Sequence, residues 1–174
     1  MPEWHRYENY KSLYAVKKKL GGGVLLTESH EIDIILRILG LPLEVYCKKF
    51  FKRKFLDVET AANLKMFYKN CNVDFNLNMF DQKKRSRKIK FFFLNGYLLL
   101  DLVNNVLIYK DFHIKKKYSC GKNENNLQFT RQMNFILNMK HSDISYNLLV
   151  AEQNNKILNC LIKSSRLNKK INLQ

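Results

Sequence analysis

At 174 residues, with 31 Lys and Arg against 15 Asp and Glu, the chain carries a formal net charge of +16. That length fits one or two small domains, and a 46 % apolar composition is enough to bury a core. The four cysteines form no CxxC pair, which argues against a zinc knuckle, and an excess of positive charge favours polyanions as partners.

The first ten residues include Glu3, Trp4 and Glu8, unlike an apolar signal peptide or an acid-free presequence. Tyr7, Tyr10, Leu13 and Tyr14 then form an apolar stripe that predicts a basic helix over 5–20, ending at Gly21-Gly22-Gly23. Those glycines are not followed by Gly-Lys-Ser/Thr, so they are not a phosphate-binding loop. Ile32, Ile35, Leu36 and Leu39 repeat at helical spacing, with Ser29 a candidate cap and Gly40 and Pro42 closing the segment, so a buried helix is expected over 30–40.

Residues 43–56 interleave Lys48, Lys49, Lys52, Arg53 and Lys54 with Tyr46, Phe50, Phe51 and Phe55. Such a mixture suits a surface that meets phosphates with cations and bases with rings, or an amphipathic element with its rings in the core. Residues 57–70 read as a helix capped by Asp57, with Ala61, Leu64 and Phe67 or Tyr68 inside, followed by a polar loop over 70–78. Lys83 to Lys90 holds six cations and no acid.

Strands are expected from Phe91 onward. Asn95-Gly96 is a strong hairpin signal between Phe91-Phe92-Phe93-Leu94 and Tyr97-Leu98-Leu99-Leu100, and Val106-Leu107-Ile108-Tyr109 and Phe112-His113-Ile114 continue the set. Asn95, Gly96, Asp101, Asn104 and Asn105 interrupt this apolar stretch and exclude a spanning helix. Phe129, Met133, Ile136 and Leu137 suggest a helix over 129–139. Two apolar runs, 146–150 and 157–162, flank Asn154-Asn155-Lys156 and suggest a terminal β-hairpin.

Ile32-Asp33 with Gly40-Leu41, then Phe93-Leu94-Asn95-Gly96 with Leu98 and Leu99, then Lys110-Asp111-Phe112-His113-Ile114, resemble the S-four RNA-binding domain of the small-subunit ribosomal protein four family. His5-Arg6-Tyr7 upstream and Asn147 to Val150 with Leu158 to Lys163 downstream are similar to the flanks of that family. The pattern departs at Glu31, where an arginine is expected, and at Ala61-Ala62-Asn63-Leu64, which replaces two cations. The resemblance implies an α+β fold of two helices packed on a small hairpin sheet, with an N-terminal basic helix and a C-terminal hairpin. It divides the chain into 1–29, an S-four-like domain over 30–117 with basic insertions near 42–56 and 72–90, and an extension over 118–174.

The expected function is then that of a structural constituent of a ribosomal small subunit, in a divergent mitochondrial, ciliate-like form encoded in the organelle. Its partners would be small-subunit rRNA, neighbouring ribosomal proteins and mRNA near the entry channel, with no membrane partner. The alternatives are an RNA-binding or tRNA/rRNA-processing protein and a basic subunit of another organellar complex. Candidate RNA contacts are Arg37, Lys48, Lys49, Lys52, Arg53, Lys65, Lys69, Lys83, Lys84, Arg85, Arg87, Lys88, Asn95 and Gly96. His5, His30, His113 and His141 are dispersed, so neither a catalytic role, a metal nor a cofactor is expected.

Overall fold

Val45 and Cys47 alternate with Glu44, Tyr46 and Lys48, the period-two pattern of a half-buried strand. The same alternation runs through Ala62, Leu64 and Met66 and through Val73, Phe75 and Leu77. A computed structural model, describing residues 12–51, 55–80, 86–119 and 125–173, turns these patterns into strands β1 (Glu44–Phe50), β2 (Ala61–Phe67) and β3 (Asn72–Asn78). The chain divides into two units, 1–81 with 141–174, and 82–140. Its class is α+β, with two four-stranded antiparallel sheets.

In the first unit the sheet order is β3-β2-β1-β8, where β8 is Ile171–Asn172. Antiparallel register pairs Val45 with Met66 and Cys47 with Leu64, placing all four on one face. They are 0–1 % exposed. Helix α1 (Val24–Thr27) packs on β2 and β3, and a long helix near the end of the chain packs on β1 and β8. Helix α2 (Ser29–Leu39) buries Ile32, Ile35 and Leu36 and packs against that long helix, where the Arg37 guanidinium donates to Asn147 Oδ1 at 3.2 Å. The expected helix over 30–40 is thus present, though Glu28 holds the cap position and the Ser29 side chain makes no cap bond.

In the second unit β4 (Lys88–Phe93), β5 (Gly96–Asp101), β6 (Val106–Asp111) and β7 (Lys115–Ser119) form a meander in chain order. The hairpin expected at Asn95-Gly96 forms one residue out of place: Phe93 pairs with Gly96, so Leu94 and Asn95 make the turn. Gly96 opens β5 instead, because a Cβ there would run into the Lys110 carbonyl of β6. Helix α3 (Asn125–Leu137) follows, close to its expected span.

Three expectations need correcting. The helix read over 57–70 is strand β2, and the polar loop after it is β3. Ala61, Leu64 and Phe67 fit a helical period, but Ala62, Leu64 and Met66 fit the strand period, and a four-stranded sheet makes use of the second. The terminal hairpin is a single helix, α4 (His141–Leu167). Its inner stripe is Val150, Ile157, Leu158, Leu161 and Ser164, and Asn154-Asn155-Lys156 lies inside it. The chain leaves this helix at Asn168 in the left-handed region (φ 49), a conformation asparagine tolerates. Of the basic helix over 5–20, residues 1–11 lie outside the described residues, while Tyr14–Val16 and Lys18–Leu20 are short 3-10 turns. An S-four domain of two helices on a small hairpin sheet is therefore not the architecture of this chain.

Candidate functional site

The glycine triplet makes sense once its neighbours are in place. A Cβ at Gly22 would sit 2.6 Å from the carbonyl oxygens of Tyr14 and Ala15, and one at Gly23, where φ is 112°, would sit 2.7 Å from Glu59 Oε1. Only glycine fits such an approach and such a backbone. Glu59 is 7 % exposed. Its backbone carbonyl accepts the Val24 N–H at 3.1 Å, its carboxylate accepts the Leu25 N–H at 3.4 Å, and Lys49 Nζ stands 3.2 Å from the same oxygen. A buried carboxylate paired in this way is held in place, because leaving it unpaired would cost its full desolvation. Glu59 and the triplet therefore fix the start of α1, whose Val24 and Leu25 are fully buried.

From that anchored start the chain runs directly into Glu28-Ser29-His30-Glu31 at the head of α2. His30 Nε2 lies 3.4 Å from Glu28 Oε2 and 3.2 Å from Glu31 Oε1, with the imidazole half exposed. One donor atom from each of the three lies within 4.8 Å of the others. Both carboxylates stand against the same ring nitrogen, so the set can orient the imidazole or, with that nitrogen unprotonated, chelate a divalent cation. Such a group can give or take a proton at a bound substrate. Among the described residues, neither His113, in the β6–β7 turn, nor His141, the first residue of α4, belongs to such a group.

Sequence reading left His30 among the dispersed histidines. The available signal was its distance, seven residues, from a glycine triplet that needs its special backbone. Nothing local marks Glu59 as the partner of that triplet, since the contact spans 34 residues or more.

The expected contact residues that the structure describes fall on several elements of the two units. Arg37 is on α2, bonded to Asp33 Oδ2 at 2.9 Å and to Asn147. Lys48 and Lys65 share the face of the first sheet opposite Val45 and Cys47, with Lys65 3.0 Å from Asp74 Oδ1, while Lys49 points to the other face and Glu59. Lys69 is exposed between β2 and β3. In the second unit Lys88 pairs with Asp101 at 3.6 Å, the Arg87 carbonyl accepts the Leu102 N–H, and Asn95 and Gly96 are in the hairpin. Lys52, Arg53, Lys83, Lys84 and Arg85 lie outside the described residues. Cys47, Cys71 and Cys160 are free thiols, and burial pushes Cys47 up to about 11.

No protein-family model and no curated protein matches the sequence. Solved structures do match the fold. An NAD binding oxidoreductase from Klebsiella pneumoniae aligns with 98 % of this chain and 56 % of its own, at TM-score 0.77 and 12 % identity. The WlbA dehydrogenase from Bordetella pertussis, solved with NADH and UDP-GlcNAcA, aligns with 88 % of this chain and 46 % of its own, at TM-score 0.62 and 14 % identity. A super-repressor mutant of Gal80p from Saccharomyces cerevisiae aligns with 94 % and 53 %, at TM-score 0.66 and 13 % identity.

This chain thus has the fold those proteins share over about half their length. That finding overturns the ribosomal reading and its alternatives. Apart from the Gal80p mutant, the proteins compared are named as oxidoreductases and dehydrogenases, and none as an rRNA-binding subunit, so the expectations of rRNA, mRNA and ribosomal-protein partners and of a non-catalytic role fall with it. The short S-four motifs misled because a hydrophobic-Asp helix and an Asn-Gly hairpin are local features that many folds contain. A doubly wound dinucleotide fold needs parallel strands joined by helices. Every strand pair among the described residues is antiparallel, so these residues do not form one.

Proposed function

We propose that the chain is the substrate-side part of a nicotinamide-dependent oxidoreductase acting on a hydroxyl or carbonyl group. Its role is to hold the substrate and to move a proton at the reacting oxygen, while the nucleotide is held by a parallel α/β domain that these residues do not form. The observation that carries this reading is the fold match: nearly the whole chain aligns with about half of proteins named as NAD-binding oxidoreductases, with the antiparallel architecture that excludes the nucleotide-binding half. The site supports it. His30, set at the head of α2 by Glu28, Glu31 and the Glu59-anchored glycine turn, is the group for proton transfer. A substrate hydroxyl would give its proton to the imidazole in oxidation and take it back in reduction.

Saturation-transfer and imidazole NMR on the full chain, against nucleotide sugars, 2-hydroxy acids and NADH, tests this. At least one hydroxylated compound should bind and shift the His30 ring resonances, and NADH alone should not bind. Tight NADH binding by these residues, or no response to any hydroxylated compound, overturns the proposal. With a turned-over substrate in the assembled enzyme, His30→Ala should cost ~10²–10⁴-fold in kcat.

A further inference from the structure

The second unit has two unlike ends, and register decides what each carries. Phe93 pairs with Gly96, and Gly96 pairs with Asp111, so the turn through Leu94 and the turn through Phe112 stand at the same end of the sheet. With strands ~4.8 Å apart in the order β4-β5-β6-β7, the two turns are about 10 Å from each other. This end exposes large apolar side chains: Leu94 is 99 %, Phe112 77 %, Phe92 74 % and Phe93 59 % exposed. Behind them, all exposed, stand Lys110 and Lys115 in the second row of the register, Lys116 in the third, and Lys90 and Lys117 in the fourth. The Lys90 ammonium lies 4.6 Å from the centroid of the Phe92 ring and 3.9 Å from that of Tyr97.

The acid at this end is occupied within the fold. The Asp111 carboxylate accepts the N–H groups of His113 and Ile114, at 2.8 and 2.6 Å, and the Tyr109 hydroxyl at 2.8 Å. It shapes the turn that presents Phe112. The opposite end has a polar turn, in which Asp101 accepts the Val103 and Asn104 N–H groups.

We infer that this end of the second unit is a docking tip for an anionic membrane surface, with the two turns entering the headgroup layer and the lysines meeting lipid phosphates. Apolar groups this exposed, carried on projecting turns, have no use in water and mark an interaction site. A projecting tip suits a layer that can part around it. Five cations behind an apolar tip are the complement of a negatively charged bilayer, where each lysine near the surface multiplies binding roughly five-fold. Apolar insertion and basic attraction together give the two signals that stable peripheral binding requires. No described helix is long and apolar enough to cross a membrane, and none is needed for this mode.

Co-sedimentation of the full chain with vesicles of neutral phosphatidylcholine, and with vesicles containing 30 % phosphatidylserine, is the test. Binding should be at least ten-fold greater on the anionic vesicles and should fall steeply with added salt. Leu94→Asp with Phe112→Asp should abolish it, and Lys110→Glu with Lys115→Glu should weaken it at least ten-fold, while Val103→Asp at the opposite end should change nothing. Circular dichroism checks that each variant keeps its strands, and the exposed turn positions leave the sheet pairing intact. Absence of vesicle binding, equal binding to both compositions, retention on heparin without vesicle binding, or full binding by the Leu94 and Phe112 variant would each overturn the inference.

Discussion

Two four-stranded antiparallel sheets in one chain differ in what covers them. The sheet of the first unit is covered on one face by α1 and α4, and its Val45, Cys47, Leu64 and Met66 are sealed from solvent. The sheet of the second unit has no buried residue among those described, and α3 beside it in sequence leaves Phe129, Met133, Ile136 and Leu137 at least half exposed. Both sheets have full ladders of paired residues, so the ladder by itself does not make a core. Strand formation needs a neighbour at the right register; a core also needs a second layer. The first unit stores the stability and positions His30, and the second presents its turns and lysines to solvent.

Deleting core volume should give the largest separation between the two. Leu161 on α4 is fully buried, so Leu161→Ala should cost ~2–5 kcal/mol of unfolding free energy in a denaturant titration. Leu98→Ala in β5, partly open to water, should cost under about 1 kcal/mol, because less surface is lost from burial. Similar losses would break the comparison.

The next effect comes from protonation. Burial pushes the Cys47 thiol from an ordinary 9.0 to about 11, so the folded chain keeps a proton that the unfolded chain gives up. Stability is therefore fully present below pH 9 and falls as pH rises to 11, by ~2–3 kcal/mol. Tyr68, pushed up to about 12 by burial with its hydroxyl donating to the Gly40 carbonyl, extends the loss in the same direction. Urea titrations at pH 8 and 11 measure the slope, and Cys47→Ala should flatten it.

Ser164 sharpens the picture within the first unit. Its hydroxyl accepts the Cys47 N–H at 3.0 Å and donates to the Lys169 carbonyl at 2.6 Å, joining β1, α4 and the chain after the helix. Ser164→Ala leaves the buried Cys47 N–H unpaired and removes a partner from the part-buried Lys169 carbonyl, and should cost ~1–3 kcal/mol by thermal unfolding. The smallest effect is expected on the solvent face of the same sheet. A double-mutant cycle on Lys65 and Asp74, both well exposed, should return no more than ~1 kcal/mol and shrink with salt. A larger coupling would mean that this face is covered.

What sequence alone determined here is local. The α2 stripe of Ile32, Ile35 and Leu36 reads as a buried helix because its period repeats within eleven residues and Gly40 ends it. Strands β4 to β6 read as strands because short apolar runs are punctuated by Asn-Gly and Asn-Asn. The charge was likewise legible, as was the absence of a spanning helix among the described residues. The tertiary structure decided everything that joins distant residues. It chose the strand period of Ala62, Leu64 and Met66 over the helical one, because β1 and β3 were there to pair. It ran α4 straight through Asn154-Asn155-Lys156, because the stripe from Val150 to Ser164 found a sheet to cover. It brought Glu59 under Gly23 and so fixed the head of α2, where His30 meets its two carboxylates. These outcomes depend on contacts between residues far apart in the chain, whose energies no local pattern records, and that is why the short motifs pointed to the wrong family while the fold aligned with solved structures of a different architecture.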